Sequence, residues 1–407
     1  MSKSFGTIPA GALRTPEEYT LRVPDQELAD FKQLLALSKI GPKTFYNLQE
    51  DGRFGLTRRW LSEAKDAWLA YDWRKCEERV NAFPNFKARV DSKELGAVDV
   101  HFAALFSKKP NALPVVFMHG WPGSFLEFLP VMDLLQKKYT PESLPYHVIV
   151  PSLPGYGLSS ASIPLEKETT VDKVADVLHR LMLDLGFGGG YAVQGGDVGS
   201  FLARVMSVTY DECKAIHLNM LSASPGDDTS DTESLTAQEA EHIQLATKFL
   251  TTGIAYALEH GTRPATIGLV LSASPIALLA WIGEKYLEAV DSRHPLPLET
   301  ILDLVSLYWL TETFPRSIYP YRALVEGLTP GGNVPPMPIS KTIPLGYSCF
   351  PAEISFMPKA WAEKNYPNLK LYRAHEKGGH FAALEQPELF LQDIENFLGP
   401  LEITAKI

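Results

Sequence analysis

The chain has 407 residues, of which 45% are hydrophobic, enough for a large core with one or two subdomains. Lys and Arg number 38 against 48 Asp and Glu, and the formal charge of −10 with no basic run excludes recognition of nucleic-acid phosphates. Cys76, Cys213 and Cys349 are odd in number, far apart and without paired spacing, which excludes a disulfide framework and a zinc site and points to a reducing compartment.

The start, MSKSFGTIPAGALRTPEEY, has neither an apolar h-region nor an arginine-rich amphipathic pattern, so no signal or transit peptide is expected and the chain is expected to be cytoplasmic and soluble. From Pro24 to Phe83 the pattern is polar, Trp-rich and helix-like (ELADFKQLLALS, WLSEAKDAWLAYDW), as in an extension lying over something else. After Pro84, FKARV and VDVHFAALF read as a pair of antiparallel strands. Short apolar runs then alternate with helical patterns: LPVVFM before HGWPGS, YHVIVP before SLPGYG, YAVQGG before DVGSFLARVM, and AIHLNM before a polar stretch. This alternation predicts a mostly parallel sheet covered by helices on both faces. Between Ser222 and Lys341 the alternation gives way to helical patterns and the Pro/Gly-rich linker GLTPGGNVPPMP, as expected for an inserted helical cap. Its longest apolar stretch, Thr266 to Ile282, carries Ser272, Ser274 and Pro275 and barely reaches spanning length, so it reads as a buried helical hairpin and not as a membrane span. Strand patterns resume with TIPLGYSCF and LKLYRAH, before a last helix from Pro387 to Leu398. The expected architecture is an α/β fold with an eight-stranded sheet. Residues 1–84 form an extension wrapping core and cap, 85–221 and 342–407 the core, and 222–341 the cap.

The strand YAVQGG runs directly into Asp197, so Gly195-Gly196-Asp197-Val198-Gly199 fits the strand–nucleophile–helix elbow of α/β-hydrolases, where small neighbours let the backbone turn sharply. A Gly-rich turn with Asp as a helix N-cap is the plainer alternative. Context favours the elbow, because His119-Gly120-Trp121-Pro122-Gly123 follows an earlier strand where this fold places a loop with its N–H groups facing the nucleophile. The amides of Trp121 and Val198 are thereby expected to form an oxyanion hole. Gly378-Gly379-His380-Phe381 follows the last strand and offers His380 as the base, with His375 as rival. Glu353, after TIPLGYSCF, is the expected acid that orients the imidazole, with Glu376 as rival.

These motifs resemble those of the microsomal-type epoxide hydrolases, including their soluble fungal members, over nearly the whole chain. The resemblance covers Tyr71-Asp72-Trp73-Arg74 through Asn85-Phe86-Lys87, HGWPGS, GGDVGS, RPATIGLVLSASPIALLAWI, FPAEI and GGHFAALEQP. It implies two cap tyrosines that hydrogen-bond an epoxide oxygen, Tyr256 and Tyr321, with Tyr319 close enough in sequence to be confused with the second. It also implies Glu353 as the acid, a homodimer, and an epoxide and water as the partners; no counterpart of the mammalian branch's membrane anchor is expected, so the localisation of that branch is not carried over.

The chemistry accounts for Asp at the elbow. An epoxide carbon is sp³, so a serine would leave an ether with no carbonyl for water to strike, whereas Asp197 leaves a hydrolysable ester. His380, held by Glu353, then activates water, and no metal or organic cofactor is required. A haloalkane dehalogenase is the nearest alternative, but its halide-binding Trp would stand where this chain has Val198. A serine esterase is opposed by the Asp, and a catalytically silent binding protein on the same scaffold by the full residue set.

Overall fold

In the computed structural model, which describes residues 4–326 and 337–403, the apolar runs read from the sequence form one twisted sheet. Its strands are β1 (Glu17–Glu18), β2 (Asn85–Ser92), β3 (Gly96–Leu105), β4 (Leu113–Met118), β5 (Tyr146–Pro151), β6 (Tyr191–Gly195), β7 (Cys213–Leu218), β8 (Leu345–Cys349) and β9 (Leu369–Ala374). Every residue of β4, β5, β6 and β8 is buried, as unbroken apolar runs covered on both faces should be.

The spatial order is β1-β2-β3-β5-β4-β6-β7-β8-β9. β1, β2 and β3 pair antiparallel, β3 joins β5 antiparallel, and the remaining pairs are parallel. The sheet therefore has nine strands among the described residues, one more than the eight expected. The addition, β1, is two exposed glutamates on the edge, which carry no alternation for a sequence reading to detect.

Helices Val171–Asp184 and Asp197–Thr209 pack together against one face, while Leu129–Lys138 and Pro387–Leu398 pack together on the other, where Phe117 of β4 meets Phe128 and Phe390. The chain leaves β4 toward β5 on one side and returns on the other side as β6. This reversal opens a crevice at the carboxyl ends of β4 and β6, the place where open α/β sheets bind ligands.

Between β7 and β8 lie the helices Ala237–Lys248, Ala255–Thr262, Pro264–Ser272, Pro275–Glu288 and Leu298–Leu310, followed by short turns to Glu326. Most of the Pro/Gly-rich linker, residues 327–336, falls outside the described residues. The expected hairpin over Thr266–Ile282 is two helices bent by 118° at Ala273-Ser274. It is only half buried: Ile276, Leu278, Leu279 and Ile282 face the core, but Leu269 is 75% and Val270 54% exposed. The expectation failed on that side because an apolar run shows length, not which of its faces finds a partner. No single helix among the described residues is long and apolar enough to cross a membrane.

The N-terminal helices Asp25–Leu37, Arg58–Ala70 and Trp73–Asn81 lie against this helical segment. Trp68 Nε1 donates to Ser306 Oγ at 2.8 Å, and Tyr71 and Arg79 both bond the half-hidden Asp303 carboxylate. Trp60 stands so close to Gly283 that a Cβ there would strike its ring.

Candidate active site

The turn from β6 into the helix Asp197–Thr209 places Asp197 at a φ of 47°, in the left-handed region that side chains with a Cβ rarely occupy. Such strain costs about 1–3 kcal/mol and persists only where the surroundings over-determine it. Here they do. A Cβ on Gly195 would overlap the Gly199 carbonyl, and one on Gly199 would overlap the Met118 carbonyl at the end of β4. The glycines flanking Asp197 thus let two backbones approach, as the elbow motif requires.

The loop after β4 closes over the elbow. Trp121 N–H donates to Asp197 Oδ1 at 2.7 Å, and a Cβ on Gly120 would fall on the same carboxylate. His119 supports the loop from beneath: its Nδ1 bonds the Gly120 carbonyl at 3.1 Å, and its Nε2 accepts from Leu153 N–H at 3.1 Å. Burial lowers the His119 pKa to about 4, so it serves as a neutral brace. Val198 stands in the first helical turn, where an N–H has no intrahelical acceptor, and its amide donates no hydrogen bond among the described residues.

His380 approaches from the loop after β9. Gly378 turns the chain at a φ of 99°, and a Cβ on Gly379 would press the Ala289 carbonyl at 2.7 Å. That carbonyl accepts His380 N–H at 2.9 Å, and Asp291 accepts Gly378 N–H at 3.0 Å. His380 Nδ1 donates to Glu353 Oε1 at 2.8 Å, which presents Nε2 to Asp197 Oδ2 at 3.4 Å. Glu353 is fully buried and is oriented by Ile354 N–H at 2.7 Å. Burial alone would lower the His380 pKa, but the Glu353 and Asp197 carboxylates outweigh it and hold the imidazole well above its usual value.

The rivals lie elsewhere. His375 stacks on Phe350 and bonds Asp393 at 2.6 Å, a buried structural pair, and Glu376 is exposed with its carbonyl taken by Arg293.

The helical segment brings Tyr256 and Tyr321 over this trio. Tyr256 stacks on the Trp121 indole, with centroids 5.1 Å apart and planes 20° apart. Tyr321 meets Trp121 edge-on at 5.7 Å and Tyr256 at 5.7 Å. Burial, reinforced by the Asp197 charge, raises both phenols, so they remain protonated donors. Tyr319 points away, its ring against Tyr156 and its buried hydroxyl without a partner among the described residues.

Several residues here carried no sequence signal. Tyr286 OH donates to the Pro122 carbonyl at 2.8 Å and Tyr308 OH to the Gly123 carbonyl at 3.0 Å, so the helical segment fixes the loop bearing the Trp121 amide. Lys285, clasped by Glu284 and Glu288, sets its ammonium 4.4 Å from the centre of the Tyr256 ring.

The chain also has recognisable relatives among known proteins. Residues 16–128 match the epoxide hydrolase N-terminal family, and residues 114–258 match the α/β-hydrolase fold family. A relative from Dothistroma septosporum, itself assigned to the epoxide hydrolases, is 42% identical over 97% of this chain and 93% of its own. The chain belongs to the epoxide hydrolase family. Epoxide hydrolase 1 of Sus scrofa is 31% identical over 98% of this chain and 92% of its own. Among solved structures, the epoxide hydrolase of Aspergillus niger superposes with a TM-score of 0.89 at 48% identity, covering 97% of this chain and 99% of that one.

Proposed function

We propose that this family member converts epoxides to vicinal diols through an ester on Asp197. The observation that carries the reading is the carboxylate in the strained elbow, held between the Trp121 amide at 2.7 Å and the His380 imidazole at 3.4 Å. Asp197 Oδ2 attacks an epoxide carbon, the C–O bond breaks, and the ring oxygen takes a proton from the Tyr256 and Tyr321 pair as negative charge grows on it. His380, oriented by Glu353, then removes a proton from water. The water oxygen bonds to Cγ of the ester while the Trp121 and Val198 amides hold the oxyanion; the Cγ–O bond to the diol breaks with the proton returned from His380, and the proton left on the Asp197 carboxyl restores the phenol.

Residues 222–341 act as the cap that supplies the phenols, residues 85–221 and 342–407 as the core, and residues 1–84 as the extension that braces both. The homodimer rests on family resemblance alone, and sedimentation equilibrium tests it. Diol formation from styrene oxide tests the activity, and His380→Gln tests the route: its turnover should fall about 10³-fold, as for loss of a general base. Intact-mass spectrometry of that variant should find the alkyl-enzyme. A variant that stays slow with no adduct at any time would exclude the ester.

A further inference from the structure

A small cavity of about 20 Å³ lies beside the elbow, lined among others by Gly120, Trp121, Glu127, Asp197, His380 and Ala383. A single water needs about 10–15 Å³, whereas organic ligands need hundreds, so the space fits water and nothing larger. Its polar side chains include the Asp197 carboxylate, the His380 imidazole and the carboxyl of Glu127, beside His119 and Asn219, which meets the two to four partners a buried water requires.

Glu127 plays no part in the chemistry described so far. It lies one helical turn beyond the HGWPGS loop and is 7% exposed. Its Oε1 accepts Ser124 N–H at 3.0 Å in a capping box, while its other oxygen has no hydrogen bond among the described residues. The carboxyl sits beneath the loop only because residue 123 is glycine, since a Cβ there would overlap it. A buried carboxyl with one unused oxygen is costly unless a partner arrives.

We infer that this cavity holds the hydrolytic water, and that Glu127 is the positioning residue that anchors it between the His380 imidazole and the ester carbon of Asp197. Burial pushes the Glu127 carboxyl up to about 8 despite the opposing pull of His380, so near neutral pH it anchors water without adding a second anion beside Asp197. The proton then goes to His380 alone.

The inference rests on the ester route proposed above, and one kinetic series separates the two. In a two-step scheme kcat/KM reports formation of the ester, whereas slower hydrolysis lowers kcat and KM together. Glu127→Met should lower both by about tenfold or more, leave kcat/KM within about twofold, and raise the fraction of alkyl-enzyme seen by rapid quench and intact mass. Glu127→Gln, which keeps the cap and a polar anchor, should restore kcat to within about threefold. The assignment is overturned if kcat/KM falls as far as kcat, if folded Glu127→Met keeps its kcat, or if Glu127→Gln is as slow as Glu127→Met. Should Glu127→Met not fold, Ala383→Val narrows the same cavity from its other wall: kcat and KM should again fall together, and a kcat/KM that falls as far as kcat, or an unchanged kcat, overturns the assignment. A missing adduct in His380→Gln would remove the ester route itself, whereas an adduct there with unaltered hydrolysis in the Glu127 series would remove only the water assignment.

Discussion

At the scale of the residue, the proposed reaction sets a neutral electrophile among the Asp197, His380 and Glu353 side chains. In that proposal Tyr256 and Tyr321 donate to the epoxide oxygen as it develops charge, and preorganised donors of this kind are each worth about 10²–10³ in rate. Tyr256→Phe and Tyr321→Phe should therefore each lower kcat/KM for styrene oxide by about 10²-fold, and the double variant should approach the background rate. Circular dichroism melting should show both single variants folded; a full-rate Tyr321→Phe would move the second donor to another residue. The pH behaviour has a definite sign. Glu353 and Asp197 together hold His380 above its usual value, so in the free enzyme much of it is protonated near neutral pH. Forming the ester removes the Asp197 charge, and the imidazole pKa must drop. Hydrolysis of isolated alkyl-enzyme should accordingly rise with pH through a lower pKa than NMR titration finds for His380 in the resting protein. The opposite order would contradict the pairing.

At the scale of the element, much of the machinery was legible because sharp turns write themselves into adjacent residues. The elbow, the loop after β4 and the Gly-Gly-His turn each announce a backbone demand within five positions. The structure supplies the reason for four of the glycines: Gly195 and Gly199 admit neighbouring carbonyls, Gly378 turns the chain at a φ of 99°, and Gly379 lies against the Ala289 carbonyl. Gly199→Ala should push helix Asp197–Thr209 off β4 at a cost of about 1–3 kcal/mol, as overpacking does, lowering both the urea midpoint and kcat. An unchanged midpoint would mean that the close approach is dispensable. Other parts were illegible for an equally physical reason. Tyr286 and Tyr308 bond the carbonyls of Pro122 and Gly123 across separations of 164 and 185 residues, and no local pattern encodes such contacts. Tyr256 and Tyr321 were named by family resemblance alone, and the two-residue strand β1 has no pattern at all.

At the scale of the whole molecule, the N-terminal helices, the helical segment and the sheet form one chain of support. Tyr71 and Arg79 tie the first to Asp303 in the second, and Ala289 and Asp291 carry the grip onward to the His380 loop. Asp303→Ala leaves a half-buried phenol and a half-exposed guanidinium unpaired, which should destabilise the protein by about 1–3 kcal/mol and lower its melting temperature. An unshifted melt would reduce the extension to an ornament. All of this support serves one carboxylate, and isotope placement tests that carboxylate most directly. After a single turnover in H₂¹⁸O, peptide mass spectrometry should find the label in the Asp197 side chain and the diol unlabelled; label in the diol with an unlabelled Asp197 would show that water opens the ring directly.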